Sequence, residues 1–317
     1  MPGSGSGWCG RSEMRRSPMP GTRQPTDARR GGKFRWWILL LFAVYAVWQW
    51  FGTAEVDPYT GETAHYGASP GEEVQLGAQA FQQVLGDAHA QGALLPADAE
   101  VSREIREIAQ RLISRVPQVT AELAAMYDQE VPTSHEGFQW DVAVIQSEQV
   151  NAFCLPGGKM AVYTGLIPVA QTRDAVAVVM GHEIAHALLR HGSQRMAQQK
   201  LVQMGQLAAG MAVGDMSPQQ QQAIMAAIGA GTQYGLVLPY GRNHETQADR
   251  VGLMLAAAAC YDPNQAIGLW QRMGQLGEGQ RPPEFASTHP DPDNRIRELQ
   301  ALMPQAEAFR AKYCEAR

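Results

Sequence analysis

The sequence predicts an α+β chain, predominantly helical, with one small sheet and a single transmembrane helix ahead of one large domain. Three observations carry this. Apolar residues recur at three-and-four spacing over much of the chain after residue 70, three short β-rich segments cluster between residues 140 and 165, and one apolar run is long and free of charge. The 317 residues, 45% hydrophobic and 18% charged, suffice for a sizeable core and are too apolar for a disordered chain. The net charge of -5 is uneven, since residues 1–35 hold eight Lys/Arg against two Asp/Glu. The remainder is therefore acidic, which argues against nucleic acid as its main partner. Four cysteines without a CxxC pair exclude a disulfide-built mini-fold and a cysteine-rich zinc module, so any metal falls mainly to His and carboxylate.

Residues 1–33, rich in Gly, Ser, Pro and Arg, are expected to be a disordered basic cytoplasmic tail. FRWWILLLFAVYAVWQWFG (34–52) reads as a transmembrane signal-anchor: nineteen helical residues rise about 28 Å, and tryptophans sit at both ends. Gly52-Thr53-Ala54 also suits a cleaved signal peptide, but the thick aromatic flank and the lack of a lipidation cysteine favour an uncleaved anchor. The basic residues before it place that side in the cytoplasm, and the rest of the chain in the periplasm or outside, on a single-pass inner-membrane protein. Residues 53–70 are polar and turn-rich, a linker to a domain at 71–317.

Within that domain, Val74, Ala78, Phe81 and Leu85 mark one helix face. Asp98 is a candidate cap for a second helix carrying Val101, Ile105, Ile108, Leu112 and Val116. WDVAVIQ (140–146), NAFCL (151–155) and KMAVYTG (159–165) read as strands, the last two joined by a Pro156-Gly157-Gly158 turn. A long helix covers 174–195. The Met- and Gly-rich stretch 196–235 reads either as two packed helices or as a lid. Asp262-Pro263 and Asp291-Pro292 open two late helices, and Cys260 is expected to pair with Cys314, both lying near late helix ends.

VVMGHEIAHALLRH sets His182 and His186 four residues apart, so on a helix both imidazoles leave one face and can grip one zinc ion, with Glu183 beside it. Catalytic zinc takes three protein ligands and keeps one position open. His191 misses the spacing of HExxHxxGxxH, and Leu189 stands where that arrangement needs Gly, so His191 reads as a helix-end cap or a hydrogen-bonding partner behind the ligands. Downstream, Glu245 and Asp249 form an i, i+4 carboxylate pair on a second apolar helix. One would bind metal and the other accept the N–H of a ligating histidine, unless Asp249 pairs with Arg250 or Arg242 at the surface.

Four blocks, NAFCLPGGKMAVYTGLI (151–167), GHEIAHALLRH (181–191), RNHETQADRVG (242–252) and STHPDPDNRI (287–296), resemble membrane-associated zinc endopeptidases. That family includes the CAAX prenyl endopeptidase, HtpX, BepA, LoiP and the mitochondrial inner-membrane stress protease. The resemblance, over roughly residues 70–300, is greatest to single-domain periplasmic members. It implies a zincin-like (gluzincin) domain with a small sheet beside the active-site helix, and one Zn2+ held by His182, His186 and Glu245, with Asp249 supporting. It further implies Glu183 as general base, His289 steadying the tetrahedral intermediate, and Arg295 at the substrate. The substrate would lie as an extended strand beside Asn151, Ala152 and Phe153. The implied activity is hydrolysis of peptide bonds in extended or misfolded protein, for envelope quality control. The competing reading is a membrane-tethered, chaperone-like binding protein whose structural or latent zinc is closed by His191 or His244, against which Glu183 weighs, since a structural site needs no base.

Overall fold

The computed structural model describes residues 35–233, 237–276, 285, 289 and 292–314. The expected basic tail, 1–33, and Asp291 lie outside them. The apolar run forms α1 (Trp36–Gly52), with no buried residue, and it stops where the Thr53 hydroxyl donates to Gln49 O at 2.8 Å. Seventeen residues rise about 26 Å. Among the described residues no helix is long and apolar enough to cross a membrane, so the expected nineteen-residue span is not found. Its near end is fastened to the protein: the Arg35 N–H donates to Ala212 O at 3.0 Å, and the Arg35 guanidinium pairs with Asp215 at 2.7 Å.

Residues 53–70, expected as a linker, carry an antiparallel hairpin, β1 (Ala54–Val56) with β2 (Thr63–His65). Its turn is built on Asp57, whose Oδ1 accepts from Tyr59 N–H at 3.0 Å and from Thr60 N–H and hydroxyl at 3.1 Å. A capping box between Ser69 and Glu72 starts α2 (Pro70–Ala90), whose fully buried positions are Glu73, Gly77, Phe81 and Ala88. Val74, Ala78 and Leu85 flank that stripe half-buried. In α3 (Glu100–Ile113), Ile105, Ile108 and Leu112 turn inward as their spacing predicts. Asp98 does not cap it, since Ala99 stands at the cap, and Val116 opens a separate helix, α4 (Val116–Met126).

The three expected strands are β3 (Asp141–Ile145), β4 (Ala152–Leu155) and β5 (Lys159–Tyr163), in the order β3-β5-β4. β5 runs parallel to β3 and antiparallel to β4. Gly157 and Gly158 turn the β4–β5 hairpin at φ of 79° and 82°, where a side chain would be strained. β4 is thereby left at the sheet edge. After α5 (Leu166–Ala170) comes α6 (Arg173–Leu188), capped by the Thr172 hydroxyl on Ala175 N–H. Of its 16 residues 13 are buried, so α6 is the central helix, covered on all sides.

The long helix expected over 174–195 breaks after α6. Arg190 adopts a left-handed backbone (φ 55°, ψ 33°), and α7 (His191–Val213) leaves in a new direction. The Arg190 guanidinium is held by Glu73 and by Ala68 O at 2.8 Å and lies 3.8 Å from the Tyr66 ring, and these contacts offset the strain of that conformation. α8 (Pro218–Thr232) buries none of its residues, while α9 (Leu238–Ala258) runs against α6. α10 (Gln265–Leu276) and α11 (Pro292–Cys314) complete the core, and the expected Cys260–Cys314 disulfide ties the ends of α9 and α11 together.

α6 and α9 meet backbone to backbone at Gly181 and Gly252. A Cβ on Gly252 would sit 2.6 Å from His182 N and 2.7 Å from its Cα. Gly252→Ala therefore pushes the helices apart. It is expected to cost about 2 kcal/mol and lower the melting temperature by about 6 °C, read by calorimetry of the full chain. An unchanged melting temperature would show that the crossing is not tight.

Candidate metal centre

The crossing aims side chains from both helices at one point. On α6, His182 and His186 lie one turn apart, with their Nε2 atoms 3.0 Å from each other. From α9, Glu245 Oε2 lies 3.3 Å from His182 Nε2, and Oε1 lies 3.6 Å from His186 Nε2. His289, ahead of α11, adds Nδ1 at 3.2 Å from His182 Nε2 and 2.6 Å from Glu245 Oε2. One ligand atom from each of these four residues lies within 4.8 Å of all the others. Four ligands at about 2.0–2.1 Å from a tetrahedral zinc stand about 3.3 Å apart, so the spacing fits that ion. The chemistry fits too, since three imidazoles and one carboxylate converge without sulfur.

The groups behind this set fix its charge. His182 Nδ1 faces Asp249 Oδ1 at 3.0 Å, which turns Nε2 toward the common point. Asp249 is buried and bound by Arg295, through Nε at 2.7 Å to Oδ2 and through Nη2 to Oδ1. Arg295 also reaches Glu245 Oε2 at 3.2 Å, and its guanidinium lies 3.6 Å from the Trp270 ring. The structure thus places Arg295, 2% exposed, behind the carboxylates, although the resemblance put it at the substrate.

Burial opposes the charge on both carboxylates, but imidazole hydrogen bonds hold Glu245 well below the ordinary range, and Arg295 with His182 lowers Asp249. For His182, burial and Arg295 disfavour the cation, yet the hydrogen bonds it donates to Asp249 and Glu245 win and raise it to about 9. Burial lowers His186, and it lowers His289 to about 4.

Glu183, next to His182 in sequence, is buried, and desolvation raises its carboxyl. The Cys154 backbone, on edge strand β4, faces this carboxylate and favours its charged form. Among the described residues its Oε1 makes no hydrogen bond, and it faces His289 Nε2 at 3.4 Å. Asn151 and Phe153 are half-buried and Ala152 is buried, at the start of β4. His191 and His244 stand outside the four-residue set, stacked ring on ring with centroids 4.1 Å apart. Sequence reading missed the Gly181–Gly252 contact, for which a glycine inside the apolar stretch of α9 was the available signal. It also missed Trp270 under Arg295, for which there was none.

Residues 112–303 match the model of peptidase family M48. The chain belongs to that family. Zinc is the metal its members use, and the four-residue set is placed to hold it. The mitochondrial metalloendopeptidase OMA1 of Schizosaccharomyces pombe is 38% identical over 54% of this chain and 49% of its own. Metalloendopeptidase OMA1 of Danio rerio is 31% identical over 76% of this chain and 48% of its own. The beta-barrel assembly-enhancing protease of Escherichia coli is 27% identical over 77% of this chain and 46% of its own. The chain thus spans about half the length of the curated relatives it matches.

With its pKa at about 9 in the metal-free chain, His182 is protonated at pH 7.5, and zinc needs its lone pair. Metal uptake should release about one proton, and apparent zinc affinity should rise roughly tenfold per pH unit from 7 toward 9 and then level off. Calorimetry in two buffers of different ionisation enthalpy measures this. A flat affinity between pH 7 and 9 would contradict it.

Proposed function

We propose that this protein is a zinc metalloendopeptidase acting on extended or misfolded protein segments at a membrane surface. The observation that carries the reading is the position of Glu183, a buried carboxylate whose Oε1 makes no hydrogen bond among the described residues and faces His289, beside a converged His182, His186 and Glu245 set. His182, His186 and Glu245 would hold a zinc ion there, which would supply Lewis acidity and acidify a water. Glu183 then accepts the proton of the attacking water and returns it to the leaving amide nitrogen, and burial, by raising its pKa, suits it to both transfers. Asp249 and Arg295 hold His182 and Glu245 in place through these steps.

Edge strand β4 gives the substrate a backbone to pair with. Strand addition is sequence-tolerant, which suits unfolded segments, and Asn151, Ala152 and Phe153 would line it. Membrane association is supported by α1, where Trp36, Leu40, Leu41, Val44, Trp48 and Phe51 are all more than half exposed, a patch that water disfavours. The domain at 71–317, an inner-membrane location, a cytoplasmic N-terminus and a role in envelope quality control belong to this same reading.

Glu183→Gln should leave one zinc bound and reduce casein cleavage by at least about a hundredfold, because it removes the base without touching a ligand. Loss of zinc from the variant would contradict the assignment. A second reading, latency, is favoured by His289 standing within the ligand set, where it would fill the fourth position. His289→Ala separates the two. Slower cleavage at unchanged zinc content marks a residue that steadies the transition state, whereas faster cleavage marks one that blocks the centre.

A further inference from the structure

We infer that Glu62, in the β1–β2 turn, determines through Gln247 and His191 which nitrogen of His186 keeps its lone pair for zinc. The inference rests on His186 being a zinc ligand, as proposed above. It starts from the far end of a hydrogen-bonded row. Glu62 Oε2 lies 2.7 Å from Gln247 Nε2 and 2.9 Å from Asn243 Nδ2. An ionised carboxylate only accepts, so the amide nitrogen of Gln247 must face it, and Gln247 Oε1 must point the other way. That oxygen lies 2.9 Å from His191 Nε2, which must therefore carry a hydrogen.

A neutral imidazole carries one ring hydrogen, and His191 is 2% exposed among partners without charge. Its Nδ1 is then an acceptor, placed 2.7 Å from His186 Nδ1, which must donate. His186 Nε2 is left bare, and Nε2 is the atom that faces His182 and Glu245. Each link has one free choice, and the carboxylate at the end makes all of them. His182 is oriented by a carboxylate in direct contact, Asp249; His186 is oriented by one three links away, on the hairpin that follows α1.

Reversing the sign at position 62 should reverse the row. With a lysine there, Gln247 Oε1 turns to the ammonium and Nε2 turns to His191. The His191 hydrogen then moves to Nδ1, and that of His186 to Nε2, where it competes with zinc.

The test is the rate of zinc release from the full chain into excess chelator. Glu62→Gln should stay within twofold of wild type, because an amide oxygen accepts equally well. Glu62→Lys should release zinc about ten- to a hundredfold faster, the range for disturbing the outer partner of a ligating histidine. In a His191→Phe background, or Gln247→Leu if that variant does not fold, Glu62→Lys should add nothing further. Release of zinc from Glu62→Lys at the wild-type rate would overturn the inference. So would an equal effect in the cut background, which would mark a through-space charge effect. Nitrogen NMR of the zinc-free chain gives an independent readout: His191 should be the Nε2–H tautomer, and the Nδ1–H tautomer would refute the row. A wild-type chain that binds no zinc would instead refute the metal centre itself.

Discussion

The centre depends on how closely α6 and α9 cross. Gly181 precedes His182, while Glu245, Asp249 and Gly252 recur on one face of α9 over two turns, so the contact that lacks side chains and the groups that face the metal share one interface. A methyl group at Gly252 would meet the backbone of His182 itself. The separation that lets two imidazoles and a carboxylate meet is thus set by the absence of two Cβ atoms. Without that crossing, HExxH on one helix and ExxxD on another would be two half-sites.

Bringing these groups together buries charge, and the fold answers it locally. Glu245 and Asp249 are each about 4% exposed, a placement that is costly for an unpaired carboxylate. Arg295 bridges both from α11, and Trp270 on α10 lies under its guanidinium. Four helices therefore contribute to one electrostatic unit, and the two outer ones hold its counter-charge. Part of that compensation passes to a bound dication, which couples metal binding to folding.

Much of this was legible in the sequence, and the reason is periodicity. HExxH and ExxxD are both one helical turn, so each places its pair on one face whatever surrounds it. The three strands showed as β-rich segments, and the Pro-Gly-Gly turn announced the hairpin. What stayed hidden was set by tertiary contacts. The residue that makes the break, Arg190, is neither glycine nor proline, and it is a side-chain pairing with distant Glu73 that supports its left-handed backbone. The parallel pairing of β3 with β5 cannot be read from strand composition. The hairpin at 54–65 resembled a polar tether because its strands are three residues each and carry Glu55, Thr63 and His65 beside a polar turn, and Arg295, an ordinary surface residue type, gave no hint of burial.

The chemistry of this molecule rests on the convergence of α6 and α9 on a single zinc site. X-ray absorption at the zinc edge, on the full chain as purified, tests it most directly. The predicted result is one zinc per chain with only nitrogen and oxygen neighbours at about 2.0–2.2 Å, two or three of them imidazoles. A sulfur neighbour at about 2.3 Å, or a chain that takes up no zinc, would contradict it.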